Sequence, residues 1–318
     1  MKVSLVVPTY RREALLCQTL ADALTLEWPD YEIVVVDQTE RHTRETDAYL
    51  TSVRNRIVYL RHGPPSVAAA VNRGLSAASG KIILLLDDDV RLPDRGLIVH
   101  HAENYADASI GGVAGRVLDA ERPMAGPFDP RSQDIVWGFF HSGWTHGTRC
   151  EVTTAPGANV SFRRDVLLAV GGVDERFVGN AFRWENDLCL RVRAAGYRVV
   201  YDPRPTVHHF YGSPGGNENR HLHGRDPGSH RWYRDFFQNQ VYIALKHMPR
   251  RSLAPLLWRL YRSHVMNGPY VREGLAFLAA RNRAMLAGTV DGWRTYRAWS
   301  RDLRMDRASF RNDTETSA

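Results

Sequence analysis

An α/β fold, with a doubly wound nucleotide-binding type of sheet and a C-terminal helical appendage, is predicted by three features of this sequence. Short apolar runs alternate with amphipathic segments of helical period over the first 120 positions. The stretch Lys81–Val90, KIILLLDDDV, puts five apolar residues directly before three carboxylates. Beyond Arg231 the pattern gives way to long basic segments rich in Arg and Trp. Strands alternating with helices of about 10–15 residues imply parallel pairing with right-handed crossovers.

Taken in order, Val3–Val7 reads as a buried strand closed by Pro8, Thr9 and Tyr10. Arg12–Leu26 carries Leu15, Leu16, Leu20, Ala23 and Leu24 at helical spacing and stops at Trp28-Pro29. Glu32–Val36 is a second strand with Asp37 at its carboxyl end. A helix over Thr43–Val53 and a strand over Ile57–Leu60 follow. Pro64-Pro65 then precede a helix over Val67–Ala78. The run Ile82–Leu86, bounded by Gly80 and the acidic triplet, is a fully buried strand. The first strand is not followed by G-x-G-x-x-G, which argues against a dinucleotide site.

Leu97–Ala106 has helical period, and Gly112–Val117 reads as a strand. Residues 119–150 are rich in Pro, Gly and aromatics, including Trp137 and Trp144. Local packing and an acceptor-binding loop are both open readings there. Further on, Val160–Phe162 is strand-like, Arg163–Val170 helical, and Leu188–Ala195 a helix with Asn186 as N-cap. That cap would leave Glu185 just outside the helix. Tyr197–Tyr201 makes one more strand, stopped by Pro203 and Pro205, with His208 and His209 behind it.

Composition narrows the class. A chain of 318 residues with 43% hydrophobic content can bury a full core. Cys17, Cys150 and Cys189 have neither a disulfide framework nor zinc spacing, which suggests a reducing, cytoplasmic setting. The first residues lack the apolar core of a signal peptide, and no window of about 18 residues is free of charge. The net charge of +7 is uneven: from Arg231 onward 16 Lys+Arg oppose 7 Asp+Glu, leaving the first 230 residues at −2.

Three adjacent carboxylates repel one another, and burying them unpaired costs several kcal/mol or forces protonation. A divalent cation resolves that conflict, since carboxylates and substrate phosphates are hard ligands suited to Mg²⁺ or Mn²⁺. The carboxyl end of a strand is also where open α/β sheets bind ligands.

SLVVPTY, IVVVD, AAAVNRG, LLLDDDV, PGANVSFRRDV, VGGVDERF and WENDLCLRVRAAGY occur in that order. Together they resemble an inverting family 2 glycosyltransferase of GT-A fold, of the kind that includes bacterial rhamnosyltransferases, across about residues 1–213. The resemblance implies a nucleotide-diphosphate sugar donor, a carbohydrate or lipid-linked acceptor, and Mn²⁺ or Mg²⁺ as cofactor. It assigns Asp87 and Asp89 to a D-x-D element, with Asp89 a metal ligand, Asp87 on the ribose or the metal, and Asp88 the middle donor-side residue. His208 completes the metal site in preference to His209. Pro8, Thr9, Tyr10 and Asp37 surround the base. Asn72 and Arg73 contact the donor, Arg73 standing in for an arginine that the family often has where this chain has Val71. Glu185 falls at the catalytic base position, with Asp187 the alternative, and Trp184 replaces an acidic neighbour. Trp137, Trp144, Gly157, Asn159 and Trp184 are assigned to the acceptor.

The implied organisation is a catalytic domain over residues 1–212, with a donor half to 117 and an acceptor half from 118. Residues 213–230 are a Gly-rich loop, either lid or linker. Residues 231–311 are basic helices and 312–318 a disordered tail. The basic helices suit either peripheral membrane contact or a cap on the catalytic domain, and no nucleic-acid motif accompanies the charge. Two rival classes stand beside the transferase. A sugar-nucleotidyltransferase would need a Gly-rich basic loop after the first strand, which PTYRR does not supply. A degenerate binding module would have lost the base, yet Glu185 is acidic.

Overall fold

The computed structural model describes residues 1–120, 144–210 and 229–315. The predicted loop 213–230, Trp137 and the end of the tail fall largely outside them. The chain divides into two compact units, Met1–His221 and Leu222–Ala318.

In the first unit β1 (Val3–Thr9), α1 (Ala14–Ala23), β2 (Tyr31–Asp37), α2 (Arg44–Ser52), β3 (Val58–Arg61), α3 (Val67–Ala77) and β4 (Ile82–Leu86) follow the expected alternation. Thr43 caps α2 by accepting the Thr46 N–H, and Ser66 caps α3 by accepting that of Ala69. β1, β2, β3 and β4 pair in parallel in the order β3-β2-β1-β4. Their side chains alternate between two covered faces. Val3, Leu5 and Val7 join Leu16 and Leu20 of α1 in the main core, along with Ile82, Leu84 and Leu86. Because β2 and β4 leave β1 on opposite sides, their connections diverge at the carboxyl ends and open a crevice there.

Beyond β4 the sheet is mixed rather than parallel. It continues with β5 (Val90–Arg91), α4 (Leu97–Glu103), β6 (Ile110–Asp119), β7 (Cys150–Val152), β8 (Asn159–Arg163), α5 (Arg164–Ala169), α6 (Trp184–Ala194) and β9 (Arg198–His209). β8 runs antiparallel between β4 and β6, and β9 pairs in parallel with β6 and antiparallel with β5 and β7. A fully buried strand has the same apolar signature in either direction, so the sequence could not show the reversal.

Two expected boundaries are corrected. β9 runs through Pro203 and Pro205 to His209, because both prolines sit in a bulge. Ala114 pairs with Tyr201 and Arg116 with Thr206, leaving Asp202–Pro205 opposite Gly115 alone. Proline cannot donate to a ladder, and a bulge asks for no donor. α6 starts at Trp184, four residues before the expected Leu188, and its cap is Arg183 in the left-handed region (φ 86°), not Asn186.

The second unit comprises α7 (Ser229–His247), α8 (Leu253–His264), α9 (Gly268–Val271) and α10 (Leu275–Glu315). The two helices expected over Val271–Met285 and Trp293–Leu303 belong to α9 and the continuous α10. α10 lies along α7 at close range: a Cβ on Gly288 or Gly292 would fall 2.4 Å from the Arg234 carbonyl oxygen or 2.6 Å from that of Gln238. No helix among the described residues is long and apolar enough to cross a membrane.

Candidate active site

The acidic turn follows β4 on the β1 side of the crevice. Thr19 of α1, fully buried, holds it. Its hydroxyl accepts the Val90 N–H at 3.2 Å and lies 2.8 Å from the Val90 carbonyl and 3.1 Å from that of Asp88. Asp87 is half-exposed, whereas Asp88 and Asp89 are buried. Two cations meet them. Arg12, at the entry to α1, places Nη2 2.8 Å from Asp89 and Nε 3.4 Å from Asp88. His209 places Nε2 3.1 Å from Asp89 and 3.3 Å from Asp87. Burial and the neighbouring charge of Asp89 push the Asp88 carboxyl up to about 7, against the pull of Arg12. Burial alone would lower His209, but hydrogen bonds to Asp87 and Asp89 push it up to about 9.

Asp87, Asp89 and His209 offer ligand atoms that all lie within 4.8 Å of one another. Two carboxylate oxygens and one imidazole nitrogen form a donor set that suits Mn²⁺ or Mg²⁺, with positions left for water and phosphate. The residues fit the cofactor. The histidine in this cluster is His209, which corrects the choice of His208. The bulge explains the difference. Val200 and Val207 both join the main core, although seven residues apart, so the alternation flips between them. His209 therefore shares the face of Val207, and His208 takes the other.

Asp37, expected beside the base, is bonded to protein groups. At the end of β2 it is fully buried, and both oxygens are engaged. Oδ1 accepts the Thr39 N–H at 2.8 Å; Oδ2 meets His42 Nε2 and Arg61 Nη1, each at 2.8 Å, and accepts the Tyr59 hydroxyl proton. Burial would raise its pKa, but the bonds from Tyr59, Thr39 and His42 hold it below the ordinary range. Arg61, half-exposed, is the member of this cluster open to solvent. Pro8 and Thr9 pair with Val36 and Asp37 along the same edge. Thr9 is buried, while Tyr10 lies part-exposed beside Arg11.

Asn72, expected to contact the donor, is bonded to the segment after α5. Its amide donates to the Val173 carbonyl and to Glu175, both at 2.8 Å, and accepts the Val173 N–H at 2.8 Å. It pins a loop. Arg73 is exposed on α3. Asp88 faces Arg12 rather than open solvent. Asn159 is fully buried: its Oδ1 accepts from His101 Nε2 at 2.8 Å, and its amide nitrogen donates to the carbonyls of Arg116 and Pro205 at 3.1 and 3.0 Å. His101, pushed down to about 4 by burial, stays neutral in this network.

The start of α6 packs against Gly157. Asn159, at the start of β8, pairs with Leu86, the residue before the acidic turn. Gly157 lies two residues earlier, and a Cβ there would come within 3.3 Å of the buried Trp184 ring. Glu185 is the next residue, in the first turn of α6 and part-exposed, so the chain brings it to the same end of the sheet as Asp87. Arg183, before it, is 4% exposed; burial brings its pKa down to about 9 while the charge of Glu185 opposes the fall. Asp187 is fully buried and bonded to Arg191 at 2.8 Å, a structural pair rather than a base. Trp144 packs on the core with its ring 5.7 Å from Tyr201.

Residues 4–171 match the family model described as glycosyl transferase family 2. The chain belongs to that family. As a family 2 glycosyltransferase it is 26% identical over 222 residues to the glucosyl-dolichyl phosphate glucuronosyltransferase of Haloferax volcanii, covering 66% of this chain and 69% of that one. It is 30% identical over 227 residues to the O-antigen biosynthesis protein RfbC of Myxococcus xanthus, covering 65% of this chain but 17% of that one. It is 25% identical to the probable glycosyltransferase YdaM of Bacillus subtilis, covering 64% and 49%. The chain thus spans less than half the length of several curated relatives. Among solved structures, S. aureus TarS in complex with UDP-GlcNAc superposes with a TM-score of 0.61 at 15% identity, over 95% of this chain and 92% of that one. Mannosyltransferase PcManGT from Pyrobaculum calidifontis, in complex with GDP-Man and Mn²⁺, gives 0.53 at 16%, over 92% and 86%. These likenesses establish the GT-A fold.

Sequence reasoning missed Arg12, His42, Tyr59 and Arg61. A signal existed for Arg12, a cation one turn beyond β1 in a site that needs positive charge. The Asp37 partners come from separate segments, and nothing in the sequence pairs them.

Proposed function

We propose that this glycosyltransferase moves a sugar from a nucleotide-diphosphate donor to an acceptor hydroxyl, with inversion and in a metal-dependent manner. The observation that carries the reading is the Asp87–Asp89–His209 cluster at the carboxyl end of β4, beside the point where the strand order reverses. Asp87, Asp89 and His209 would hold Mn²⁺ or Mg²⁺, which would supply Lewis-acid neutralisation of the departing diphosphate. As a ligand, His209 would have to release its ring proton to solvent. The nucleoside takes the crevice bordered by Pro8, Tyr10 and Arg61.

Glu185 takes the proton of the acceptor hydroxyl as its oxygen attacks the anomeric carbon and the bond to the diphosphate breaks. One displacement through an oxocarbenium-like state inverts the centre. The buried Trp184 against Gly157 fixes the start of α6 and so the reach of Glu185. The Haloferax relative is named for a lipid-linked acceptor and the Myxococcus one for O-antigen, which supports a glycan or lipid-linked hydroxyl as the acceptor class.

The test is donor turnover across UDP-, dTDP- and GDP-sugars, dTDP-rhamnose among them, with Mn²⁺, Mg²⁺ or EDTA. Glu185→Gln should lower transfer by about 10²–10⁴-fold while nucleotide affinity holds within about twofold. Transfer by Glu185→Gln at the wild-type rate would overturn the base assignment. Turnover indifferent to EDTA would overturn the metal role.

A further inference from the structure

α10 is two-faced, and among the described residues of its unit α7 packs along one face. Gly288 and Gly292 lie on the inner face against α7, with Ala284 and Arg281 buried alongside. The outer face exposes residues 279, 283, 286, 290, 293, 297 and 301, a helical stripe. At its centre Leu286, Val290 and Trp293 are 69%, 47% and 48% exposed. Such a contiguous apolar patch on a solvent-facing helix calls for a covering surface. Its margins are basic: Arg283, Arg294, Arg297 and Arg301 are all exposed, and Arg297 lies over the Trp293 ring at 4.7 Å. The sole acidic residue between 281 and 301 is Asp291, which turns toward Arg234 at 2.6 Å and also meets Arg294 at 3.4 Å.

We propose that this stripe of α10 docks on an anionic lipid surface. The helix lies in the interface, with Leu286, Val290 and Trp293 entering the acyl boundary and the four guanidinium groups among the headgroup phosphates. Charge decides against a second copy of the same face, which would oppose eight arginines. The apolar centre decides against nucleic acid, whose backbone offers it nothing. α10 is not apolar enough to cross a bilayer, so it rests on the surface.

The full chain is mixed with phosphatidylcholine vesicles, with vesicles containing 30 mol% phosphatidylglycerol, and with soluble heparin. Co-sedimentation is expected with the anionic vesicles alone, weakening as salt rises. Each Arg→Gln at 283, 297 or 301 should weaken partitioning by about fivefold, and Leu286→Ser with Val290→Ser by at least about tenfold. Brominated lipid should quench tryptophan emission less in Trp293→Phe than in wild type. Circular dichroism melts establish that each variant is folded. Absence of vesicle binding, vesicle binding unchanged by the Leu286/Val290 double variant, or a dimer in solution that Trp293→Glu dissolves would each overturn the proposal.

Discussion

His209 is tied to Asp89 twice. Its Nε2 lies 3.1 Å from the carboxylate, and the backbone N–H of the next residue, Phe210, donates to the Asp89 carbonyl at 3.0 Å. The second bond is independent of the side chains, so the end of β9 stays beside the acidic turn when either is changed. Mn²⁺ affinity in the presence of nucleoside diphosphate, read by calorimetry, should fall at least about tenfold in His209→Ala and in Asp89→Ala. His208→Ala should remain within about twofold. The reverse order for the two histidines would sink the assignment.

Arg12 is a counter-charge for carboxylates that are largely out of water. Its side chain is 12% exposed, and those of Asp88 and Asp89 are 11% and 4% exposed. Arg12→Met should destabilise the chain by about 3 kcal/mol, as removing one partner of a buried pair does. Millimolar Mn²⁺ should then raise the melting temperature of the variant more than that of wild type. An equal shift in both proteins would show that cation and guanidinium do not share the same charges.

Asn159 closes the bulge that orients His209, and Gly115 opposite leaves it room. A Cβ at 115 would stand 2.2 Å from the Asn159 amide nitrogen. Gly115→Ala should cost about 1–3 kcal/mol through overpacking. Asn159→Ala should cost about as much by stranding the Pro205 and Arg116 carbonyls. Urea unfolding measures both. An Asn159→Ala protein of wild-type stability with a raised acceptor KM would restore the acceptor role instead.

Glu32 links β2 to its neighbours. It accepts from Ser4 at 2.6 Å and from the Ser79 N–H at 2.7 Å, and pairs with Lys2 at 2.9 Å. Burial opposes ionisation, but these bonds bring its pKa from 4.5 to about 2. The unfolded chain therefore takes up a proton first. The stabilisation, on the order of 2–3 kcal/mol, is complete above about pH 4.5 and is lost as pH falls toward 2. Glu32→Gln should flatten that part of the stability-versus-pH curve, and an unchanged slope would exclude the link.

The sequence by itself determined the alternation of β1 to β4 with their helices, the buried run before Asp87, and the ordered motifs that mark the family. These are local properties: period, caps and short spacings survive without knowledge of partners. Tertiary structure decided the rest. Whether β8 runs with or against β4 depends on its neighbours, since a buried strand looks alike both ways. Whether His208 or His209 faces the acidic turn depended on a bulge whose odd offset reverses the alternation, and the prolines that read as a stop were its contents. Asp37, Asn72 and Asn159 were chemically fit to touch substrate. Each also bonds a protein group 24, 101 or 58 positions away in the chain, Arg61, Val173 or His101. A polar side chain takes whichever partner folding brings within hydrogen-bond reach, and that distance is set by the packed sheet, not by the spacing of residues along the chain.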